Sequence, residues 1–311
     1  AGTGTFDHVA LRARDAVQVH QMAAALPPEL GDTNMHDRKY FTSLYLRDAA
    51  DILYEFASDA PGFTVDEPAA HLGETLFTPP GPEADIDALR VVLPQFALPG
   101  AERWPRRQLL FTHRLYTPDP AEDQVLILLH GSAGDETSLL PFGHTLAPRA
   151  RLIGLRGRAT DEGTLRWFRR FGFQDFDQDD IAAEAEAFAA FLPDLARLYD
   201  IDLSRAVFIG QSNGANFLAA MMRLHPGLVG RAILLRAQEV LRDPPIAAGQ
   251  AGGAKVLMVD GTRDLFVGTA AQALAANLTA DGAQVEVVAI AATHDLTAGD
   301  HTAARAWLDQ P

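Results

Sequence analysis

The feature that most constrains this 311-residue chain is a series of short, continuous apolar runs separated by helix-length segments. The runs cover residues 125–129, 206–210, 256–260 and 285–290, and the intervening segments 181–199 and 213–224 have the length of crossover helices. Strands that are apolar at every position are typical of a sheet covered on both faces. Strands that alternate with helices predict a parallel, doubly wound α/β sheet.

The first 96 or so residues follow a different pattern. They predict one alternating strand, a short helix that stops before two prolines, and an antiparallel pair of strands, at 6–13, 17–26, 40–47 and 52–57. A stretch rich in Pro, Gly and Arg follows, from about residue 95 to 107. We therefore predict a small α+β domain over 1–98, a linker over 99–111 and an α/β domain over 112–311.

Composition excludes several classes of function. The formal net charge is -15 without a visible Lys/Arg cluster, so neither nucleic acid nor an anionic membrane is an expected partner. Cysteine is absent, so an enzymatic nucleophile must be oxygen or nitrogen. No apolar stretch approaches the roughly 20 residues of a membrane span, and the simplest expectation is a cytoplasmic enzyme.

Ser212 is the candidate nucleophile. It stands in Gly210-Gln211-Ser212-Asn213-Gly214, after an apolar strand and before a helical pattern. This is the context of a nucleophile elbow, a tight turn whose flanking residues must be small. A helix that begins just after the serine also directs its N–H groups towards developing negative charge.

A serine hydroxyl needs a base, which in an α/β-hydrolase follows in the order Ser, acid, His. Asp264 comes just after the third apolar run and His294 just after the fourth. We expect His294 to be the base and Asp264 the acid that orients it, with Asp260 as the alternative acid. His130-Gly131-Ser132-Ala133-Gly134 follows the first run, and the N–H groups of Ser132 and Asn213 are the expected oxyanion hole.

These motifs, HGSAGDE, GQSNGAN, DGTRDLF and THDLT, together with RWFRRFGF, resemble the phospholipase/carboxylesterase family of α/β-hydrolases. The similarity runs from about Tyr116 to the C-terminus and extends to carboxylesterases associated with hydroquinone detoxification. It implies hydrolysis of a small-molecule ester or thioester through an acyl-enzyme, without metal or cofactor. Trp167 and Phe168 match the middle motif, and two interpretations stay open for them, the lining of an acyl pocket or ordinary core.

His8 and Glu55 lie on two strands of the first domain, and this pair of side chains suits Fe(II) or Mn(II). FDHVALRARD, DRKYFTSLYLRD and ILYEFASDAPGF resemble the last βαβββ module of ring-cleaving dioxygenases of the vicinal-oxygen-chelate, glyoxalase-like superfamily. The resemblance implies that His8 and Glu55 are metal ligands. The third ligand of that family, a histidine from an earlier module, has no matching position here.

The leading hypothesis is a serine carboxylesterase with an appended glyoxalase-like module, acting on a small or aromatic-derived ester. The alternative is a metal-dependent extradiol dioxygenase with a coupled hydrolase. A lone module leaves a sheet edge and an apolar face exposed, so we also expect a cover, for which a second copy in a homodimer is one candidate.

Overall fold

The computed structural model describes residues 7–27, 34–74, 86–95, 108–161, 163–242, 253–267 and 270–310. The chain divides into two compact units, residues 1–89 and 90–311. The predicted linker over 99–111 lies mostly outside the described residues and stays a prediction.

In its described residues, the first unit contains a four-stranded sheet and a helix that packs on it. In chain order it consists of β1 (Val9–Arg12), α1 (Ala16–Ala25), β2 (Asn34–Asp37), β3 (Thr42–Arg47) and β4 (Leu53–Ala57). The strand order is β1-β4-β3-β2, in which β1 and β4 are parallel and the other pairs are antiparallel. Val19 of the helix packs with Ala13 and Leu44 in a small core. The βαβββ arrangement of the prediction is confirmed.

The second unit begins within α2 (Ile86–Val92). Val91 is fully buried among core residues of the second unit, and the Gln95 side chain exchanges two hydrogen bonds with the main chain of Thr117. These contacts explain why the second unit starts at residue 90, before the end predicted for the first domain.

A seven-stranded sheet forms the centre of the second unit. Its strands are β5 (His113–Tyr116), β6 (Val125–Leu129), β7 (Arg151–Leu155), β12 (Val207–Gln211), β13 (Arg231–Leu235), β14 (Lys255–Gly261) and β15 (Gln284–Ile290). The order is β15-β14-β13-β12-β6-β7-β5, with only β5 antiparallel to its neighbour. The chain proceeds outward in opposite directions from β6 and β12, so these two neighbours form the switch point where α/β proteins place their ligands.

Helices cover both faces of this sheet. They are α3 (Leu140–Leu146), α4 (Gln178–Tyr199), α5 (Asn213–Leu224), α6 (Ala270–Ala280) and α7 (Ala298–Leu308). Alternate residues of β6 point into two separate buried clusters, one shared with α4, α5 and α6 and the other with α3 and α7. The four predicted strands and the two predicted helices are confirmed, and the doubly wound fold with them.

Two short hairpins were not predicted. They pair β8 (Ala159–Asp161) with β9 (Thr164–Arg166), and β10 (Arg170–Gly172) with β11 (Asp175–Phe176). In the parts of the chain that the structure describes, no helix is long and apolar enough to cross a membrane.

Candidate active site

Ser212 occupies a strained turn between β12 and α5. Its backbone angles are φ 49° and ψ -115°, which lie outside the regions that a side-chain-bearing residue normally adopts. Its N–H donates to the carbonyl of Leu235 at 2.8 Å, and its own carbonyl accepts from the N–H of Asn216 at 2.8 Å. The neighbouring strand and the first turn of the helix therefore hold the turn in place.

The glycines on either side of Ser212 are required by space. A Cβ atom at Gly210 would lie 2.6 Å from the backbone nitrogen of Ala215, and one at Gly214 would lie 2.3 Å from the carbonyl oxygen of Leu129. Real Cβ atoms essentially never come this close to backbone. The Gly-X-Ser-X-Gly pattern thus follows from the close approach of β12, α5 and β6.

The three predicted residues of the triad are brought together. His294 Nε2 lies 2.8 Å from Ser212 Oγ, and His294 Nδ1 lies 2.8 Å from Asp264 Oδ2. Asp264 is buried, and its second oxygen accepts from the N–H of Phe266 at 2.8 Å. An unbroken hydrogen-bonded chain therefore runs from a buried carboxylate to a serine hydroxyl.

The alternative acid, Asp260, does not contact His294. Its Oδ1 atom is buried without a partner among the described residues. Burial raises the pKa of Asp260 to about 6, the nearby charge of Asp264 adds to the rise, and Arg236 opposes it. The geometry therefore favours Asp264 over Asp260 as the residue that orients His294.

The loop after β6 lies against the nucleophile. A Cβ atom built on Gly131 would lie 3.6 Å from the Cβ of Ser212, which places the next residue, Ser132, at the edge of the site. The side chains of Ser132 and Asn213 are engaged with the β9 segment, as acceptors from Arg166 Nη1 at 2.7 Å and from the Trp167 N–H at 2.8 Å. Within the described chain, neither main-chain N–H donates to another protein group, so both stay available to an oxyanion.

His130 is buried and has a structural role. The N–H of Gly157 donates to His130 Nε2 at 3.0 Å, so the ring proton is on Nδ1, which donates to the Gly131 carbonyl at 2.6 Å. Burial lowers the pKa of His130 and keeps the ring neutral.

The substrate-binding prediction for Trp167 and Phe168 is corrected by their location. Both side chains are fully buried in the core beneath the site, and the Trp167 ring stacks on Phe217. Trp167 Nε1 donates to the His130 carbonyl at 2.9 Å. Trp167 therefore supports the loop after β6 from the core side. Because both side chains are enclosed in the core against α5, neither has a face for a ligand.

An exposed apolar rim, made of Phe171, Phe173, Leu265 and Phe266, was missed by the sequence reasoning. These side chains are 51% to 95% exposed. Phe266 stands with its ring centroid 5.0 Å from that of His294, and Phe173 lies 5.7 Å from Phe266. The available signal was the run Leu265-Phe266 directly after the acid, which has no reason to be apolar on a solvent-exposed loop.

His8 and Glu55 of the first unit also lie together. His8 Nε2 is 3.0 Å from Glu55 Oε2, while His8 Nδ1 pairs with Asp7 and Tyr45 donates to Glu55 Oε1 at 2.6 Å. The pKa of His8 is raised, first of all by the hydrogen bond with Asp7; burial opposes the rise, and the charge of Glu55 adds to it. No third ligand joins them, since the described residues contain no group of three His, Asp or Glu side chains that could hold a metal.

Comparison with known proteins gives relatives for both parts of the chain. The chain is 30% identical over 189 residues to the putative hydrolase MhqD of Bacillus subtilis, which covers 60% of this chain and 94% of that protein. The crystal structure of a carboxylesterase from Mesorhizobium loti matches 65% of this chain and 96% of its own, with 39% identity and a TM-score of 0.63. This chain belongs to the carboxylesterase-like α/β-hydrolases.

A further match, 37% identical over 94 residues, is to the putative ring-cleaving dioxygenase MhqE of Bacillus subtilis. That match covers 31% of the dioxygenase, so the chain spans about a third of its length. No model of a known protein family matches the chain. The carboxylesterase-like hydrolase is thus joined to a part that is similar to a segment of ring-cleaving dioxygenases.

Proposed function

We propose that the second unit is a serine carboxylesterase that works through an acyl-enzyme. The observation that carries the proposal is the continuous chain of hydrogen bonds from Asp264 through His294 to Ser212. Such a chain converts a weakly nucleophilic hydroxyl into an attacking group, because the imidazole accepts the proton as the new bond forms.

The proposed steps use these atoms in turn. Ser212 Oγ attacks the ester carbonyl, His294 Nε2 takes its proton, and the N–H groups of Ser132 and Asn213 stabilise the oxyanion. His294 then protonates the departing alcohol and leaves an acyl-enzyme. A water molecule, deprotonated by His294, releases the acid and restores Ser212. The residues of this unit supply every proton transfer, so the proposed reaction needs no cofactor.

The apolar rim supports an apolar, and in particular an aromatic-derived, ester as substrate. An exposed ring 5.0 Å from the base offers a planar group an edge or face contact at the mouth of the site. We expect Phe266→Ala to lower kcat/KM for an aryl ester by about 2- to 10-fold, which corresponds to one aromatic contact. The same variant should leave a methyl ester nearly unaffected. Val287→Ala, an exposed apolar change on β15, is the control.

The nucleophile is tested by intact mass after exposure to a fluorophosphonate. The wild-type protein is expected to gain one adduct, and Ser212→Ala is expected to gain none and to lose about six orders of magnitude in kcat. Ser204→Ala, on the exposed loop before β12, is the matched control and should behave as wild type. A Ser212→Ala variant that retained more than a tenth of the activity would end the proposal.

The described residues do not form a complete metal site in the first unit. Fe(II) or Mn(II) in a dioxygenase requires a facial set of two His and one carboxylate, and only His8 and Glu55 are present. We therefore assign no reaction step to a metal. Elemental analysis of wild type and His8→Ala measures whether the pair binds Fe(II) or Mn(II), and the esterase proposal predicts equal ester turnover in both. Homodimer formation stays a prediction.

A further inference from the structure

Arg236, just after β13, is a buried cation that the proposed chemistry does not use. Its side chain is fully buried, and its backbone is left-handed with φ 59°. All three guanidinium nitrogens are engaged, and the five contacts match the five N–H groups of the side chain. Each of the three nitrogens donates to one main-chain carbonyl. Nη1 and Nη2 also each donate to one carboxylate oxygen of Asp300.

Two of the three carbonyls flank His294. Arg236 Nε donates to the Thr293 carbonyl at 2.8 Å, and Nη2 donates to the Asp295 carbonyl at 3.0 Å. The carbonyl groups of the residues before and after the base are therefore held by one planar group. A planar fork fixes both distance and orientation, which a single-point contact does not.

Residues 235 and 236 also contact the turn that carries Ser212 and the strand that leads to Asp264. The carbonyl of Leu235 accepts from the N–H of Ser212 at 2.8 Å, and Arg236 Nη1 donates at 3.1 Å to the carbonyl of Val259, on the strand that leads to Asp264. Residues 235 and 236 thus join the nucleophile turn, the acid strand and the histidine loop.

Asp300 balances the charge of Arg236. It is fully buried, and its two oxygens accept from Arg236 at 2.7 and 3.0 Å. Its Oδ2 atom also accepts from the N–H of Thr297 at 2.7 Å in the capping box that begins α7. The loop from 293 to 300 is consequently held by Arg236 at its start and by Asp300 at its end. A pair of apolar residues would fill the space as well without the desolvation penalty, but would not hold the two carbonyls.

We infer that Arg236, neutralised by Asp300, is a positioning residue that sets the distance between His294 and Ser212. The inference rests on the proposed serine-esterase function. A displacement of about 1 Å in a catalytic group reduces turnover by about 100-fold, so loss of the fork is expected to act on kcat. KM is expected to change by less than twofold, because Arg236 is buried away from the substrate.

The experiment compares Arg236→Lys with Arg231→Lys in the full chain. Lysine keeps the charge but offers one donor point, so kcat for an aryl ester and the rate of fluorophosphonate labelling should both fall 10- to 100-fold with KM unchanged. Arg231→Lys makes the same change at the start of β13, where the guanidinium stacks on Trp307, and should keep wild-type kcat. Thermal unfolding and circular dichroism establish that each variant is folded at the assay temperature.

A role in stability alone predicts a lower Tm with wild-type kcat, so a folded Arg236→Lys within twofold of wild-type kcat overturns the inference. Should Arg236→Lys not fold, Asp300→Asn takes its place. It keeps one acceptor oxygen but loses the negative charge, and a kcat within twofold of wild type would again overturn the inference. Failure of the wild type to label with fluorophosphonate would instead refute the proposed function, which separates the two outcomes.

Discussion

Replacement of Asp264 by asparagine tests the triad by exchanging one carboxylate oxygen for an NH2 group. In the wild type, one carboxylate oxygen accepts from the Phe266 N–H and the other from His294 Nδ1, both at 2.8 Å. An amide has only one acceptor oxygen. If that oxygen keeps the Phe266 contact, the NH2 group faces His294 and forces Nδ1 to become an acceptor. The ring proton must then be on Nε2, facing Ser212, and a protonated Nε2 cannot accept the serine proton.

The opposite orientation of the amide does not rescue the variant. It would place the NH2 group against the Phe266 N–H, so that two donors face each other in a buried position, at a cost of about 1 to 3 kcal/mol. We therefore expect the inactive tautomer to dominate. The same replacement in a serine protease lowers kcat by about 10⁴, or roughly 5 kcal/mol in activation free energy, with the geometry intact.

The measurement is kcat and KM for an aryl ester at pH 7, with thermal unfolding of the same samples. Asp264→Asn should remain folded and lose about four orders of magnitude in kcat. Asp260→Asn and Asp295→Asn, which change the other two carboxylates near the base, should retain activity within about tenfold. Wild-type turnover by Asp264→Asn, or a large loss in either of the other variants alone, would refute the assignment.

Two further predictions concern stability. Burial raises the pKa of Asp260 from 3.8 to about 6, so the folded state holds a proton that the unfolded state has lost between these values, and stability falls as pH rises through that window. Asp260→Asn should remove this pH dependence and raise the free energy of unfolding at pH 7 by roughly 1 to 2 kcal/mol, after allowance for partial exposure. Urea titrations of both proteins at pH 4 and pH 7 measure this free energy. An equal gain at the two pH values would contradict the pKa shift. Gly214→Ala should lower stability by about 1 to 3 kcal/mol and kcat by more than tenfold, since its Cβ would lie 2.3 Å from the Leu129 carbonyl. Gly230→Ala, where a Cβ meets nothing within 4 Å, is the control, and equal effects of the two changes would contradict the steric argument.

Motif position was enough to predict Ser212 and His294 and to limit the acid to Asp264 or Asp260, because α/β folds bring the carboxyl ends of parallel strands to one edge. Ser212, Asp264 and His294 each follow an apolar run, and that rule alone placed them together. The rule carries no information on which side chains turn inwards. For this reason the sequence left both a pocket and the core open for Trp167 and Phe168, which share a motif with exposed neighbours, and the structure places both in the core.

The contact between Phe173 and Phe266 and the burial of Arg236 had no comparable signal. Phe173 and Phe266 are separated by 93 positions in the chain, and their contact depends on how the β10–β11 hairpin packs. Arg236 is an arginine at the end of an apolar strand, which is a usual place for a solvent-exposed charge. Only the packing of α7 and the histidine loop over that strand end encloses it.

What the sequence determined by itself is periodicity and order: which runs are buried on both faces, which segments are helical, and the succession of Ser, Asp and His along the chain. These are properties of near neighbours, and near neighbours set secondary structure and strand direction. The tertiary structure alone decided which carboxylate meets His294, which aromatic rings face solvent, and that Arg236 holds the carbonyls on both sides of the base. Such contacts depend on distances between residues far apart in the chain, which are set only when both faces of the sheet are packed.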